Sequence, residues 1–154
     1  MRKTSGIRIN ALSDGLQLEK AMNEGGQMFT LDPSNDQIVT RVKDGKVLGG
    51  VIYSGWTGYG GSVELHICGI DPHWISRDLI YVCFDYPFNQ LRVKKIWGRV
   101  PASNTTALDL DRKFGMVEEH RLKDVFPDGD LIILSMYRAQ CKWLALGPRP
   151  VALI

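Results

Sequence analysis

A chain of 154 residues, 44% apolar and 23% charged, is large enough for one globular core and buries roughly 68–70% of its unfolded surface. Its net charge of +2 is evenly spread and lacks the basic patch or stripe that marks a nucleic-acid partner. The three cysteines, Cys68, Cys83 and Cys141, fall in no CxxC spacing and no apolar run approaches a membrane span, so a reduced, cytoplasmic protein with no metal and no membrane contact is expected.

The opening "MRKTSGIRIN" is basic but no apolar stretch follows it, which argues against a secretory leader and removes glycosylation as an explanation of Asn104-Thr105-Thr106. Residues 10–24 carry Leu12, Leu16, Leu18, Ala21 and Met22 at near-helical spacing, and Gly25-Gly26 ends the pattern, so a first helix is predicted. From Gln37 the period shortens to two. Asp44-Gly45 marks a hairpin turn, Val47 to Trp56 the returning strand, "GYGG" at 58–61 another turn and "SVELHICGI" a third strand, giving an antiparallel meander over residues 37–70.

Beyond Pro72, Trp74, Leu79, Val82, Cys83 and Tyr86 form a broad helical face, bent or broken by Pro87. "VKKIWGRV" is predicted as a strand, and "MVEEHRLKDVF" and "LIILSMYR" as a hairpin around Pro127-Asp128-Gly129. "AQCKWLAL" reads as a short closing helix and "GPRPVALI" as a tail, so one domain is expected over residues 1–146 with a tail over 147–154. The element order α, β, β, β, α, β, α, β, β makes an α+β (mixed α/β) protein, a mixed sheet with helices against it.

Between the two last-named regions lies "ASNTTALDLDRKFGMVEEHRLKDVF". Ser103 or Asn104 caps a short helix, Asp109 and Asp111 lie toward its start, Arg112 and Lys113 occupy its last turn, and Gly115 suits a left-handed stop. Ala107, Leu110 and Phe114 make its expected apolar face.

Residues 100–138, "VPASNTTALDLDRKFGMVEEHRLKDVFPDGDLIILSMYR", resemble the GNAT superfamily of acetyl-CoA-dependent N-acetyltransferases: strand, Asn-capped helix, glycine stop, Val-Glu-Glu, then a hairpin into a last strand. The ending Met136-Tyr137-Arg138 is similar to that of the ribosomal-protein-acetyltransferase type, and "FDYPFNQLRVKKIWGRVPASN" to small acetyltransferases of tailed phages. The resemblance covers about residues 37–143. It implies a mostly antiparallel, twisted central sheet flanked by helices, with two central strands splayed so that acetyl-CoA, the cosubstrate, lies in the gap. It further implies that Cys68, Gly69 and Ile70 present the strand edge to the pantetheine, and that Asn104 faces the cofactor arm or serves as a cap alone.

The pyrophosphate site that the resemblance implies falls on the loop "DPHWISRDLI" and the helix N-terminus after it, with Trp74, Ile75, Ser76, Arg77 and Asp78 as cofactor-binding candidates. The family's glycine pattern would fall on His73, Ser76 and Asp78, none of which matches, and Asp78 sets a carboxylate where an anion should bind. Glu64 and His66 alternate with Cys68 on one face of the third strand; both are candidates to take the proton of an attacking amine, or are partly exposed edge residues. The tyrosine acid of many members, four residues before the helix-stop glycine, is replaced by Asp111. The acidic residues Glu24, Asp32, Asp128 and Asp130 in the flanking turns are candidates to attract a cationic amine or are solvated loop carboxylates. The implied partners are acetyl-CoA and a primary-amine acceptor, with a protein N-terminus or lysine preferred and a homodimer as an option. A GNAT-shaped binding module without catalysis is the alternative, and nucleic-acid binding through Arg92, Lys94, Lys95 and Arg99 a third.

Overall fold

A computed structural model describes residues 5–147; residues 148–154, nearly all of the expected tail, lie outside that range. The elements are β1 (Ser5–Ile9), α1 (Leu12–Glu24), β2 (Gln37–Lys43), β3 (Lys46–Ser54), β4 (Ser62–Gly69), α2 (Arg77–Asp85), β5 (Lys95–Pro101), α3 (Thr105–Phe114), β6 (Val117–Phe126) and β7 (Gly129–Tyr137). They form a seven-stranded sheet of order β1-β2-β3-β4-β5-β7-β6. Every pairing is antiparallel except that of β4 with β5.

The meander and the late hairpin form as expected, while β1 adds an unforeseen first strand. β1 is five residues long and pairs only with β2, from Ser5 opposite Lys43 to Ile9 opposite Val39, a partner distant in sequence. The predicted face of α1 also shifts. Leu12 and Leu16 are exposed, and Asp14, Leu18 and Met22 turn inward at spacings of four. Asp14 tolerates burial because Arg8 grips both its oxygens, at 2.7 and 3.1 Å, and Thr40 donates to it at 2.8 Å.

α1 covers one sheet face, where Leu18, Met22, Ile38, Val42, Ile52 and Cys68 form a compact cluster. α2 and α3 share the other core, with Phe84, Phe114 and Trp143 in mutual ring contact. Pro87 has no amide to donate, and the end of the second predicted helix widens into a π-helical turn over Tyr86–Gln90, closed by the Leu91 amide on the Tyr86 carbonyl at 2.9 Å. The expected closing helix is instead two 3-10 turns, Arg138–Gln140 and Lys142–Leu146.

α3 is capped by Asn104, whose side chain accepts from the Ala107 amide at 3.2 Å, and stops at Gly115 with φ 103°. Its buried residues are Leu108, Asp111 and Phe114, with Ala107 and Leu110 only partly covered. The inward face is therefore rotated from the predicted one, and a carboxyl sits in its middle.

Candidate active site

β4 and β5 run parallel for three residue pairs, Ser62 with Lys95, Val63 with Ile96 and Glu64 with Trp97. There they part. Beyond Glu64 the strand β4 stays paired with β3 as far as Gly69, and β5 stays paired with β7 as far as Pro101, so a wedge opens between them. The Ile70 amide donates to the Leu48 carbonyl at 2.9 Å. Alternation along the strand therefore turns the backbone groups of Cys68 toward β3 as well, and those of Ile67 and Gly69 into the wedge. Of the three residues expected on the open edge, only Gly69 presents its backbone there.

The wedge leads into an open cleft of about 1090 Å³. One wall holds Ser54 and Glu64, His66 from β4, and Arg99 from β5; another holds Asn104, Ala107, Leu110 and Asp111. The loop after α1 closes a third side. Asn23 fixes that loop by accepting from the Phe29 amide at 2.8 Å and donating to the Phe29 carbonyl at 2.9 Å, and the Phe29 ring rests 4.6 Å from that of His66.

Glu64, 5% exposed, has both carboxylate oxygens on Arg99, at 2.7 and 2.9 Å. His66 Nε2 lies 2.7 Å from Ser54 Oγ and 3.8 Å from Glu64 Oε1. Burial lowers the His66 pKa from its ordinary value, with Glu64 and Asp36 opposing that shift, so the imidazole is neutral at neutral pH. Burial raises the pKa of Asp36, while hydrogen bonds from Asn35 and Ser34 lower that of Asp32. Asp32 and Asp36 both line the cleft; Glu24, Asp128 and Asp130 do not. Asp130 instead receives Arg121 at 3.3 Å and the Asp124 amide at 3.0 Å.

On the far side of the sheet a small apolar hollow is lined by Leu65, Ile67, Trp74, Ile75, Leu79 and Phe114, among others. Leu65 and Ile67 belong to both spaces, so the two meet at the wedge. Trp74 lies directly over Gly69, where no side chain would fit. Ser76 caps α2 by accepting from the Leu79 amide at 3.1 Å, and Asp78 stands in that helix's first turn. Arg77 reaches away to the Leu146 carbonyl at 2.9 Å. The Cys68 thiol is buried in the core beside α1, where desolvation raises its pKa, so it is not a thiolate facing the wedge. Sequence reasoning missed Ser54, Arg99 as the partner of Glu64, and Asp36. The period-two pattern contained a signal for Arg99, since Trp97 pairs with Glu64 and Arg99 lies two positions on.

Among the described residues no group of three His, Cys, Asp or Glu is placed to hold a metal ion, and no helix is long and apolar enough to cross a membrane.

No protein-family model matches the sequence, and no curated protein does. Solved structures do resemble it. A variant of spermidine N-acetyltransferase SpeG from Vibrio cholerae superposes with a TM-score of 0.71 at 20% identity, over 91% of this chain and 96% of that one. Spermidine N-acetyltransferase of the same organism, in complex with CoA and spermine, gives 0.69 at 18% identity over 88% and 96%. The protein yncA from Salmonella typhimurium, described as an acetyltransferase and solved with acetyl-CoA, gives 0.66 at 14% identity over 86% and 93%. Strand order, the short parallel join and these likenesses together give the chain the fold of the GNAT N-acetyltransferases.

Proposed function

We propose that this protein is an acetyl-CoA-dependent N-acetyltransferase in which a primary amine attacks the thioester directly. The observation that carries the reading is the wedge beyond Glu64, where an apolar hollow on one sheet face meets a polar cleft on the other. An extended pantetheine fits the hollow and would pair with the unpaired backbone of Ile67 and Gly69; Trp74 and Ile75 would flank it, and Asn104 would face it across the gap. The pyrophosphate would meet the first-turn amides of α2, which a helix leaves without internal partners. Arg77 would have to exchange the Leu146 carbonyl for a phosphate.

On the cleft side His66, neutral because it is buried, would take the amine's proton, directly or through Ser54 or a water. Glu64 at 3.8 Å would stabilise the resulting imidazolium. Asp32 and Asp36 supply negative charge for a cationic acceptor. The ending Met136-Tyr137-Arg138 supports a protein N-terminus or lysine, whereas the spermine in the Vibrio cholerae complex supports a small polyamine. A binding module without turnover is the second reading, favoured by Arg77 being engaged elsewhere and by the acid at Asp78.

Incubation with acetyl-CoA and separate pools of polyamines, lysine peptides and free N-terminal peptides, read by thiol release and product mass, tests this. Acetylation of one pool supports transfer. Binding of acetyl-CoA with no thiol released from any pool would leave the module, and absence of binding would overturn both.

A further inference from the structure

We propose that the carboxyl of Asp111 gives its proton to the sulfur that departs when the acetyl group is transferred. This rests on the reading above. Asp111 lies on the inward face of α3 between Leu108 and Phe114 and is 7% exposed. The other two buried acids are gripped, Asp14 by Arg8 and Thr40 and Glu64 by Arg99. The carboxyl of Asp111 has no hydrogen-bond or ion-pair partner among the described residues, yet it lines the cleft. A carboxyl in that slot costs stability where an apolar side chain would contribute it, so its placement needs a purpose other than packing.

The position supplies one. Phe114, three residues along the same helix face, lines the apolar hollow, while Asp111 lines the cleft. A thioester threaded from hollow to cleft sets its sulfur at that join, with Asp111 on one side of the gap and Glu64 and His66 on the other. Desolvation raises the Asp111 pKa to about 7. The charged groups that share its cleft are Asp32, Asp36, Glu64, His66 and Arg99, and Asp109, Arg112 and Lys113 of its own helix are exposed. Near neutrality a substantial fraction of Asp111 therefore holds a transferable proton.

The step balances. The amine nitrogen bonds to the carbonyl carbon, the C–S bond breaks with its electron pair on sulfur, and the Asp111 proton makes the thiol. His66 holds the amine's proton and releases it to solvent, and solvent returns one proton to Asp111.

The test is Asp111→Asn, which keeps the shape and removes the acid, assayed beside the parent from pH 5.5 to 9. The parent's kcat falls as pH rises through the Asp111 pKa. The variant is expected to lose about 10²-fold in kcat at neutral pH, to lose that alkaline limb, and to bind acetyl-CoA as the parent does by calorimetry. Asp111→Glu restores the limb. An active parent whose limb and rate survive in Asp111→Asn overturns this role while leaving the acetyltransferase intact. A parent that releases no thiol overturns the function itself and this role with it. Should Asp111→Asn not fold, the parent profile and Asp111→Glu decide: a parent rate flat above pH 7 removes the proposal.

Discussion

Arg99 holds both oxygens of Glu64 across the point where β4 and β5 separate, so a strand on each side of the wedge contributes one partner of an ion pair. The pair is asymmetric in exposure, with the Glu64 side chain 7% and the Arg99 side chain 55% accessible. Removing the arginine leaves a buried carboxylate to find water alone, whereas removing the acid leaves an arginine already half in solvent. Arg99→Ala is therefore expected to destabilise the fold by about 1–3 kcal/mol, and Glu64→Gln by less. Thermal unfolding of both decides the order. An Arg99→Ala protein melting above Glu64→Gln contradicts it.

The base can be identified by the acidic side of the rate profile. Because burial lowers the His66 pKa, the imidazole is free to accept a proton down to a pH below its ordinary titration range, and activity should fall only beneath about 6.5. Glu64 opposes that shift, so Glu64→Gln should move the acidic limb to still lower pH, and His66→Gln should abolish it with a loss of about 10²–10⁴-fold in kcat. A limb unchanged in His66→Gln assigns proton removal elsewhere.

Asp111 should also be visible in stability, without any substrate. Its folded pKa of about 7 stands above the ordinary 3.8, so the folded state binds more protons than the unfolded one between those values. Its contribution is neutral below about pH 4, is lost progressively as pH rises toward 7, and costs at most about 4 kcal/mol above that. Asp111→Asn should melt higher than the parent at pH 8, with the difference shrinking toward pH 4. Equal melting temperatures at both ends mean that the carboxyl is solvated.

Gly69 gives a steric test of the hollow. A methyl group there collides with the Trp74 indole, so Gly69→Ala must displace the ring or bend β4, at a cost of about 1–3 kcal/mol. Acetyl-CoA affinity should weaken as the hollow deforms, while Gly45→Ala, with open space around it, should leave affinity alone. Unchanged calorimetric binding in Gly69→Ala places the cofactor elsewhere.

Local patterns carried most of the fold. The hairpin at Asp44-Gly45, the Asn104 cap and the Gly115 stop are set by residues within a few positions of one another. β1 was not legible because its five residues become a strand only through β2, more than thirty residues away. The burial of Asp14 was hidden for a similar reason, since Arg8 and Thr40, which make it tolerable, come from two other elements. At the site, Glu64 and His66 were legible as an alternating pair, but Arg99 and Ser54 reach them across strand pairings. Asp111 stood out in the sequence only as a departure. Its environment, an inward slot with no partner, emerges once α3 is rotated by packing rather than by its own periodicity.

The short parallel join has a consequence for the time dependence of the molecule. Three residue pairs tie β1–β4 to β5–β7–β6, so in the sheet the two halves are nearly separate cooperative units, united mainly by the side chains beneath them. The Ile67 and Gly69 amides then sit within a core strand yet lack a ladder partner, and in deuterated solvent they should label early, beside neighbours such as His66 and Cys68 that label late. A ligand whose backbone-like arm pairs with them would slow those two positions selectively, leaving an isotopic footprint of the wedge that requires no turnover to be seen.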